Sequence, residues 1–167
     1  MEIKEIIVNR LRETKRENIE KVIEYMETHE FFTRGCHRHH HYDGGLADHA
    51  WQTYQLAMKE EADNKRLHPD VPMLDEDSLA ISALLHDFCD CSGMRHISGH
   101  GRRSAKMLKE LGFHLTTEEF LAIRFHMSLK DKKTHPLYED AVHCHLRYIV
   151  HTADGKSARK HRGFDIK

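Results

Sequence analysis

SLAISALLHD, residues 78–87, is an apolar helical run that ends in the adjacent pair His86 and Asp87. Neighbouring residues of an α-helix point about 100° apart. A metal ion over the face between them can therefore contact both side chains. Imidazole nitrogen and carboxylate oxygen together suit divalent cations such as Zn, Mn, Fe, Co or Ni. Other helices must complete the coordination shell, and His49 and Asp154 are the natural candidates.

Length and composition fit one globular domain. The chain has 167 residues, of which 39% are hydrophobic, enough for a substantial core. Lys and Arg number 26 against 27 Asp and Glu, so the formal charge is -1 and no bulk charge favours nucleic acid or a membrane surface. The compositional anomaly is the 17 histidines, so the net charge should rise steeply as pH falls below about 7.

Targeting and redox features favour a cytoplasmic protein with reduced thiols. Residues 1–10 are charged rather than signal-like, and no run approaches the roughly 20 apolar residues of a membrane span. The four cysteines are Cys36, Cys89, Cys91 and Cys144. The pair Cys89-x-Cys91 could form a thiolate metal site, but the spacing is not the usual zinc spacing and buried thiols without a metal are favoured. The sequence makes no prediction about oligomeric state.

Hydrophobic periodicity predicts an all-α helical bundle of about six main helices. The predicted helices cover residues 2–28, 46–64, 76–88, 99–111, 117–128 and 138–160. Asp75 or Asp77 can cap the third helix and Ser98 the fourth. Thr116 and Glu119 form a capping-box signature for the fifth.

Three motifs carry a family resemblance. They are HHHYDGGLADH at residues 39–49, ALLHD at residues 83–87 and TADGK at residues 152–156. Together they resemble the HD-domain superfamily of metal-dependent phosphohydrolases, which carries H…HD…D on separate helices. The first motif is similar to the HHxYxGGLxxH opening of a branch that includes 3′–5′ exoribonucleases. The resemblance implies one HD domain over residues 1–167, with an N-terminal helix in 1–28 and a metal-site core over about 39–160.

The resemblance also implies a set of metal ligands. His49, His86, Asp87 and Asp154 would hold one ion. Some HD families add two histidines between the HD pair and the last Asp, and His100 and His126 match that placement, with His96 competing for the role of His100. A second ion would then share Asp87. The alternative is a single ion, with His100 and His126 contacting the substrate phosphate.

The implied chemistry is hydrolysis by activated water. A divalent metal lowers the pKa of a coordinated water from about 15.7 to about 7. Asp87 would bridge the ions or orient the nucleophile, and His126 or His40 would protonate the leaving group. The histidine cluster at residues 37–41 is either a surface metal-scavenging loop or part of the cleft. His151 shares a helix face with Asp154 and could support it.

Substrate class has the weakest sequence signal. Arg102, Arg103 and Lys156 are candidates for phosphate contacts. Nucleic acid is possible but not favoured, because the chain shows no oligonucleotide-binding module or aromatic stacking platform. We therefore expect a small phosphorylated substrate, a nucleotide or related phosphate ester. The alternatives are a non-catalytic metal- or nucleotide-binding module and an activity like that of the exoribonuclease branch.

Overall fold

The computed structural model describes residues 2–36, 39–92, 99–127, 129 and 133–160. Predictions that fall on His37, Arg38, His96 and Ser98 lie outside these residues. In the described residues all regular structure is helical, which confirms the predicted all-α class. The helices are α1 (Ile3–Glu13), α2 (Ile19–Thr28), α3 (Gly45–Leu67), α4 (Glu76–Leu85), α5 (His100–Glu110), α6 (Thr117–Arg124), α7 (Tyr138–His143) and α8 (His145–Lys160). Two 3₁₀ turns, Glu30–Phe32 and Phe88–Ser92, complete them.

The described helices number eight rather than about six, because two predicted helices are interrupted. The expected single helix over residues 2–28 was wrong: Lys15 and Asn18 adopt left-handed backbone angles of φ 51° and 62°, which separate α1 from α2. Asn18 also donates a hydrogen bond from its amide to the Gly112 carbonyl, which fixes this bend. The helix predicted for residues 138–160 is broken at Cys144, whose backbone is extended.

Most of the apolar run at residues 78–87 lies in α4, and the packing around α4 explains why this helix has no polar face. Every residue from 79 to 85 is buried. Asp75 caps the helix by accepting a hydrogen bond from the Ser78 amide, as predicted. A helix without a polar face must be covered on all sides. Here α3, α6 and α8 pack against α4, with α1 nearby. The helix ends at Leu85, three residues earlier than predicted, so His86 and Asp87 stand at a junction.

Around α4, the long helices α3 and α8 lie side by side, and α6 packs on both α4 and α8. α5 packs against α6 and against the 3₁₀ turn that follows the HD pair. The capping box at the start of α6 forms as predicted between Thr116 and Glu119. Each of the helices α3, α4, α5, α6 and α8 therefore brings an end or a face to the region around His86 and Asp87. No helix in the described part of the chain has the length and apolar character needed to cross a membrane.

Candidate metal centre

A close backbone approach sets the position of His49. The Gly44 backbone is left-handed, with φ 82°, and α3 starts at Gly45. A Cβ atom at Gly45 would clash with the His40 carbonyl oxygen, so glycine is required where the preceding loop crosses the helix. His49 lies one turn further on and is fully buried. Its Nδ1 pairs with Ser157 Oγ of α8 at 3.1 Å, which aims Nε2 towards the HD pair.

The HD pair is held where α4 passes into the 3₁₀ turn Phe88–Ser92. His86 is fully buried, and its Nδ1–H donates to the Ala83 carbonyl at 2.9 Å. A backbone carbonyl can only accept, so this hydrogen bond fixes the tautomer of neutral His86 and leaves a lone pair on Nε2. That Nε2 lies 3.2 Å from His49 Nε2 and 3.4 Å from Asp87 Oδ2.

A second pair of histidines reaches the same carboxylate from α5 and α6. His100 is the first residue of α5, and His126 follows the end of α6. His126 Nδ1–H donates to the Ile123 carbonyl at 2.8 Å, so its Nε2 also carries a lone pair when the ring is neutral. The Nε2 atoms of His100 and His126 lie 2.8 Å apart. Both face Asp87 Oδ1, at 3.3 and 3.4 Å.

Helix α8 supplies the last carboxylate and supports the others. Asp154 Oδ1 lies 3.3 Å from His49 Nε2 and 3.9 Å from His86 Nε2. His151, one turn earlier, donates from Nδ1 to the His126 carbonyl, so it supports His126 rather than Asp154. The residues predicted as metal ligands are therefore brought together, and all are buried, with at most 9% of any one exposed.

Asp87 occupies the middle of this arrangement. Its two carboxylate oxygens are divided between the histidine pairs: Oδ2 faces His49 and His86, and Oδ1 faces His100 and His126. Ligand atoms from four overlapping groups lie close enough to hold an ion. The groups are His39, His40 and His49; His49, His86 and Asp87; His86, His126 and Asp154; and Asp87, His100 and His126.

Two observations indicate that these side chains suit a bound cation. Asp87 Oδ1 is buried and accepts no hydrogen bond from the described residues, which costs free energy unless a positive charge satisfies it. When two imidazole nitrogens bind one metal ion, each metal–nitrogen distance is about 2.1 Å. With a nitrogen–metal–nitrogen angle of about 90–110°, the two nitrogens then lie about 3.0–3.4 Å apart. His49 and His86 match this separation at 3.2 Å, and His100 and His126 are slightly closer at 2.8 Å.

The histidines of the cluster favour the ionised forms of both the Asp87 and the Asp154 carboxylates. Burial opposes ionisation of Asp87, but the imidazoles of His86 and His100 hold its pKa well below the usual range. The pKa of Asp154 is likewise lowered, since His49 and His86 outweigh the effect of burial. Burial also disfavours the charged form of His86, yet the Asp87 carboxylate raises the pKa of that imidazole to about 9. The cluster therefore attracts positive charge, which protons or a divalent cation can supply.

The loop before α3 adds two more imidazoles. His40 is 1% exposed; its Nε2 lies 3.2 Å from Gln52 Oε1 and its Nδ1 lies 3.1 Å from His39 Nδ1. His39 is half-buried, and its ring centre is 4.4 Å from that of His49. His39 and His40 therefore lie beside His49, and whether this part of the 37–41 histidine cluster lines a cleft stays a prediction. Burial lowers the pKa of His39 to about 4.

The three basic residues predicted to contact substrate lie in different environments. Lys156 pairs with Glu60 of α3. Arg103 is half-buried and lies near the Cys89 thiol, whose pKa it acts to lower. Arg102 lines a groove between α5 and α6 whose described lining contains none of the metal-centre residues. Contact of these three residues with a substrate stays a prediction.

Sequence reasoning missed several residues that support the centre. Arg147 is 8% exposed and donates from Nε and Nη2 to the Phe125 and Met127 carbonyls, which fixes the backbone on both sides of His126. Ser157 orients His49, and His39 joins a possible ligand group. Helical spacing was the available signal, since Arg147 and Ser157 share one face of α8 with Asp154. Cys89 and Cys91 belong to none of the described ligand groups.

The sequence was compared with known proteins in three ways, and no protein-family model, no curated protein and no solved structure matches it.

Proposed function

We propose that this chain is a metal-dependent phosphohydrolase of the HD-domain type, acting on a small nucleotide or a related phosphate ester. One observation carries the proposal: the Asp87 carboxylate stands between two histidine pairs, with one oxygen towards each. A single bridging carboxylate with separate histidines on both sides is the donor set of a two-ion site.

The ligand assignment follows from these distances. His49, His86, Asp87 and Asp154 would hold one ion, and Asp87, His100 and His126 the other. Mn, Fe, Co, Ni and Zn all suit this mixture of imidazole and carboxylate donors. Bound there, divalent ions would make hydroxide available near neutral pH and offset negative charge on a phosphate oxygen.

The protein's own groups take positioning roles in this proposal. The Ala83 and Ile123 carbonyls keep the Nε2 lone pairs of His86 and His126 directed at the cluster. We therefore assign His126 to metal binding rather than proton transfer. Both ring nitrogens of His40 lie near neighbouring groups and the ring is almost fully buried, which favours a role in positioning His39. Half-buried His39 is our candidate for contact with the substrate.

A hydrolysis screen with matched variants tests the proposal. Purified protein would be incubated with p-nitrophenyl phosphate, bis(p-nitrophenyl) phosphate and nucleotides, with added Mn, Co, Ni or Fe. We expect turnover of at least one substrate, and a loss of about a hundredfold or more in the Asp87→Ala variant. Asp63→Asn is the control, because Asp63 forms only surface ion pairs on α3.

Three outcomes contradict this function. Absence of hydrolysis with every added metal would leave the non-catalytic binding module as the better description. Equal activity of Asp87→Ala and wild type would remove the cluster from the reaction. Turnover of short RNA but of none of the small substrates would favour the exoribonuclease alternative.

A further inference from the structure

A groove on the surface formed by α5, α6 and the loop between them is separate from the metal centre. Its volume is about 610 Å³, within the range of about 300–1,000 Å³ typical of small-molecule sites. The side chains that shape its apolar part are Phe113, Leu115, Phe120 and Leu137. Apolar surface of this kind gains free energy when a ligand of matching character covers it.

The charged part of the groove is entirely basic. Arg102, Lys106, Lys109 and Arg124 line it, together with His114, and no Asp or Glu is among its described lining residues. Arg102, Lys106 and Lys109 are exposed and lie on one side of α5. Converging cations next to a low-dielectric apolar surface create a positive potential that attracts anions.

Arg124 is the fixed member of this group. Its guanidinium lies over the rings of Phe120 and Phe125, at 5.8 and 5.1 Å from their centres, and its Nη2 lies 2.9 Å from His135 Nε2. Its Nε is buried and donates no hydrogen bond to the described residues. Burial and then the neighbouring charge of Arg102 lower its pKa, and both residues line the groove.

We propose that this groove binds a small organic anion, with a phosphate or carboxylate head group between Arg102 and Arg124 and an apolar or aromatic body on Phe113 and Phe120. The head group would relieve the repulsion between the two guanidinium groups and accept charge-assisted hydrogen bonds. The apolar body is required by the composition of the groove, so inorganic phosphate alone is a poorer ligand. This site does not depend on the proposed hydrolytic activity.

The groove lies beside the helix segments that carry His100 and His126. α5 and α6 cross so closely at Gly101 that a Cβ atom there would lie 2.4 Å from the Ile123 carbonyl oxygen. At this crossing Arg102 follows His100 by two positions, and Arg124 precedes His126 by two. The groove and the His/Asp cluster therefore lie on the same two helices, but the described lining of the groove includes none of the side chains of the cluster.

Isothermal titration calorimetry with three probes tests the proposal: adenosine monophosphate, octanoate and inorganic phosphate. We expect one or both organic anions to bind, and inorganic phosphate to bind more weakly. The difference between the two organic probes identifies the preferred head group. Arg102→Glu and Lys109→Glu, at two exposed positions that the fold does not need, should each weaken binding by about tenfold or more.

Two controls keep this site distinct from the metal centre. Lys59→Glu reverses the charge of another exposed residue, on α3, and should leave binding of the organic anions unaltered. Asp87→Ala should also leave it unaltered, whatever its effect on hydrolysis. The proposal is overturned if neither organic anion binds, if binding survives Arg102→Glu undiminished, or if binding is lost in Asp87→Ala.

Discussion

The Nε2 atoms of His100 and His126 lie 2.8 Å apart, although 26 positions separate these residues in the chain. The Ile123 carbonyl fixes the tautomer of neutral His126, so its Nε2 offers a lone pair to this contact. Asp87 Oδ1 lies 3.3 Å from His100 Nε2 and 3.4 Å from His126 Nε2, and accepts no hydrogen bond from the described residues. His126 Nε2 and Asp87 Oδ1 are both electron-rich, so either His100 Nε2 carries a proton towards them or a metal ion lies between the three groups.

The close passage of the His40 carbonyl over Gly45 makes this glycine a sharp test of the fold around His49. A Cβ atom at residue 45 would lie 1.9 Å from that oxygen, so Gly45→Ala must displace the loop or the first turn of α3. We expect destabilisation by about 1–3 kcal/mol or more, because backbone cannot rotate away as a side chain can. Chemical denaturation with circular dichroism measures it.

Gly155→Ala is the matched control for Gly45→Ala, because it should increase the free energy of unfolding rather than lower it. Gly155 lies inside α8, and a Cβ atom there would meet nothing nearer than an Arg159 nitrogen at 3.8 Å. Replacing a helical glycine by alanine should stabilise by about 0.5–1 kcal/mol. Equal effects of the two substitutions would show that the contact between the loop and α3 is not as described.

Glu119 is a buried junction between three parts of the chain. It is 0% exposed, accepts two hydrogen bonds from Arg16 at 2.7 and 3.0 Å, and also binds the Ser78 hydroxyl and the Thr116 amide. Removing the Glu119 carboxylate would leave the Arg16 guanidinium, the Ser78 hydroxyl and the Thr116 amide without the acceptor of their hydrogen bonds. We expect Glu119→Ala to lower the free energy of unfolding by about 3–5 kcal/mol.

The surface pair between Arg12 and Glu20 provides the comparison for Glu119. It has two similar hydrogen bonds, at 2.9 and 3.0 Å, but lies in solvent. Glu20→Ala should therefore leave the midpoint of thermal unfolding unchanged. A loss for Glu119→Ala no larger than for Glu20→Ala would contradict the role of Glu119 as a junction of the α1–α2 connection, α4 and α6.

The four cysteines should behave as inert buried thiols. All are free and buried. Burial raises the pKa of the Cys89 thiol to about 11 and that of Cys91 to about 12, so the reactive thiolate is scarce at pH 8. We expect Ellman's reagent to modify the native protein slowly and the denatured protein at once, with four thiols released per chain. Rapid modification of native protein at pH 8 would contradict the burial of these side chains.

Much of the fold could be predicted because the helices are strongly patterned and several are well capped. Asp75 and the pair Thr116 and Glu119 cap α4 and α6 as their residue types predict. The breaks were missed for a physical reason. Lys15 and Asn18 adopt left-handed angles that local propensity does not demand, and the contact of Asn18 with Gly112 forms between residues far apart in sequence.

The candidate site was predictable as a set of residues, but not as a geometry. The family resemblance implied His49, His86, Asp87 and Asp154, and also His100 and His126 as two additional histidines between the HD pair and the last Asp. Which oxygen of Asp87 faces which pair depends on the junction at the end of α4, which only tertiary packing sets. The substrate contacts of Arg102, Arg103 and Lys156 stay a prediction, because charged residues on helix faces carry little positional information.

Metal stoichiometry in variants should divide the ligands into two groups. Asp87 faces both histidine pairs, so Asp87→Ala should abolish binding at both positions. His100→Ala or His126→Ala should remove one ion and leave the other with His49, His86 and Asp154. Circular dichroism of each variant verifies that the helical fold is retained.

The most direct single measurement is the metal-to-protein ratio of freshly purified wild-type protein, obtained by inductively coupled plasma mass spectrometry beside the His100→Ala variant. Our account predicts about two ions per chain in the wild type and about one in the variant. A wild-type ratio near one that survives the loss of His100 would contradict the two-ion site. A wild-type ratio near zero, not restored by added Mn, Fe, Co, Ni or Zn, would contradict metal binding altogether.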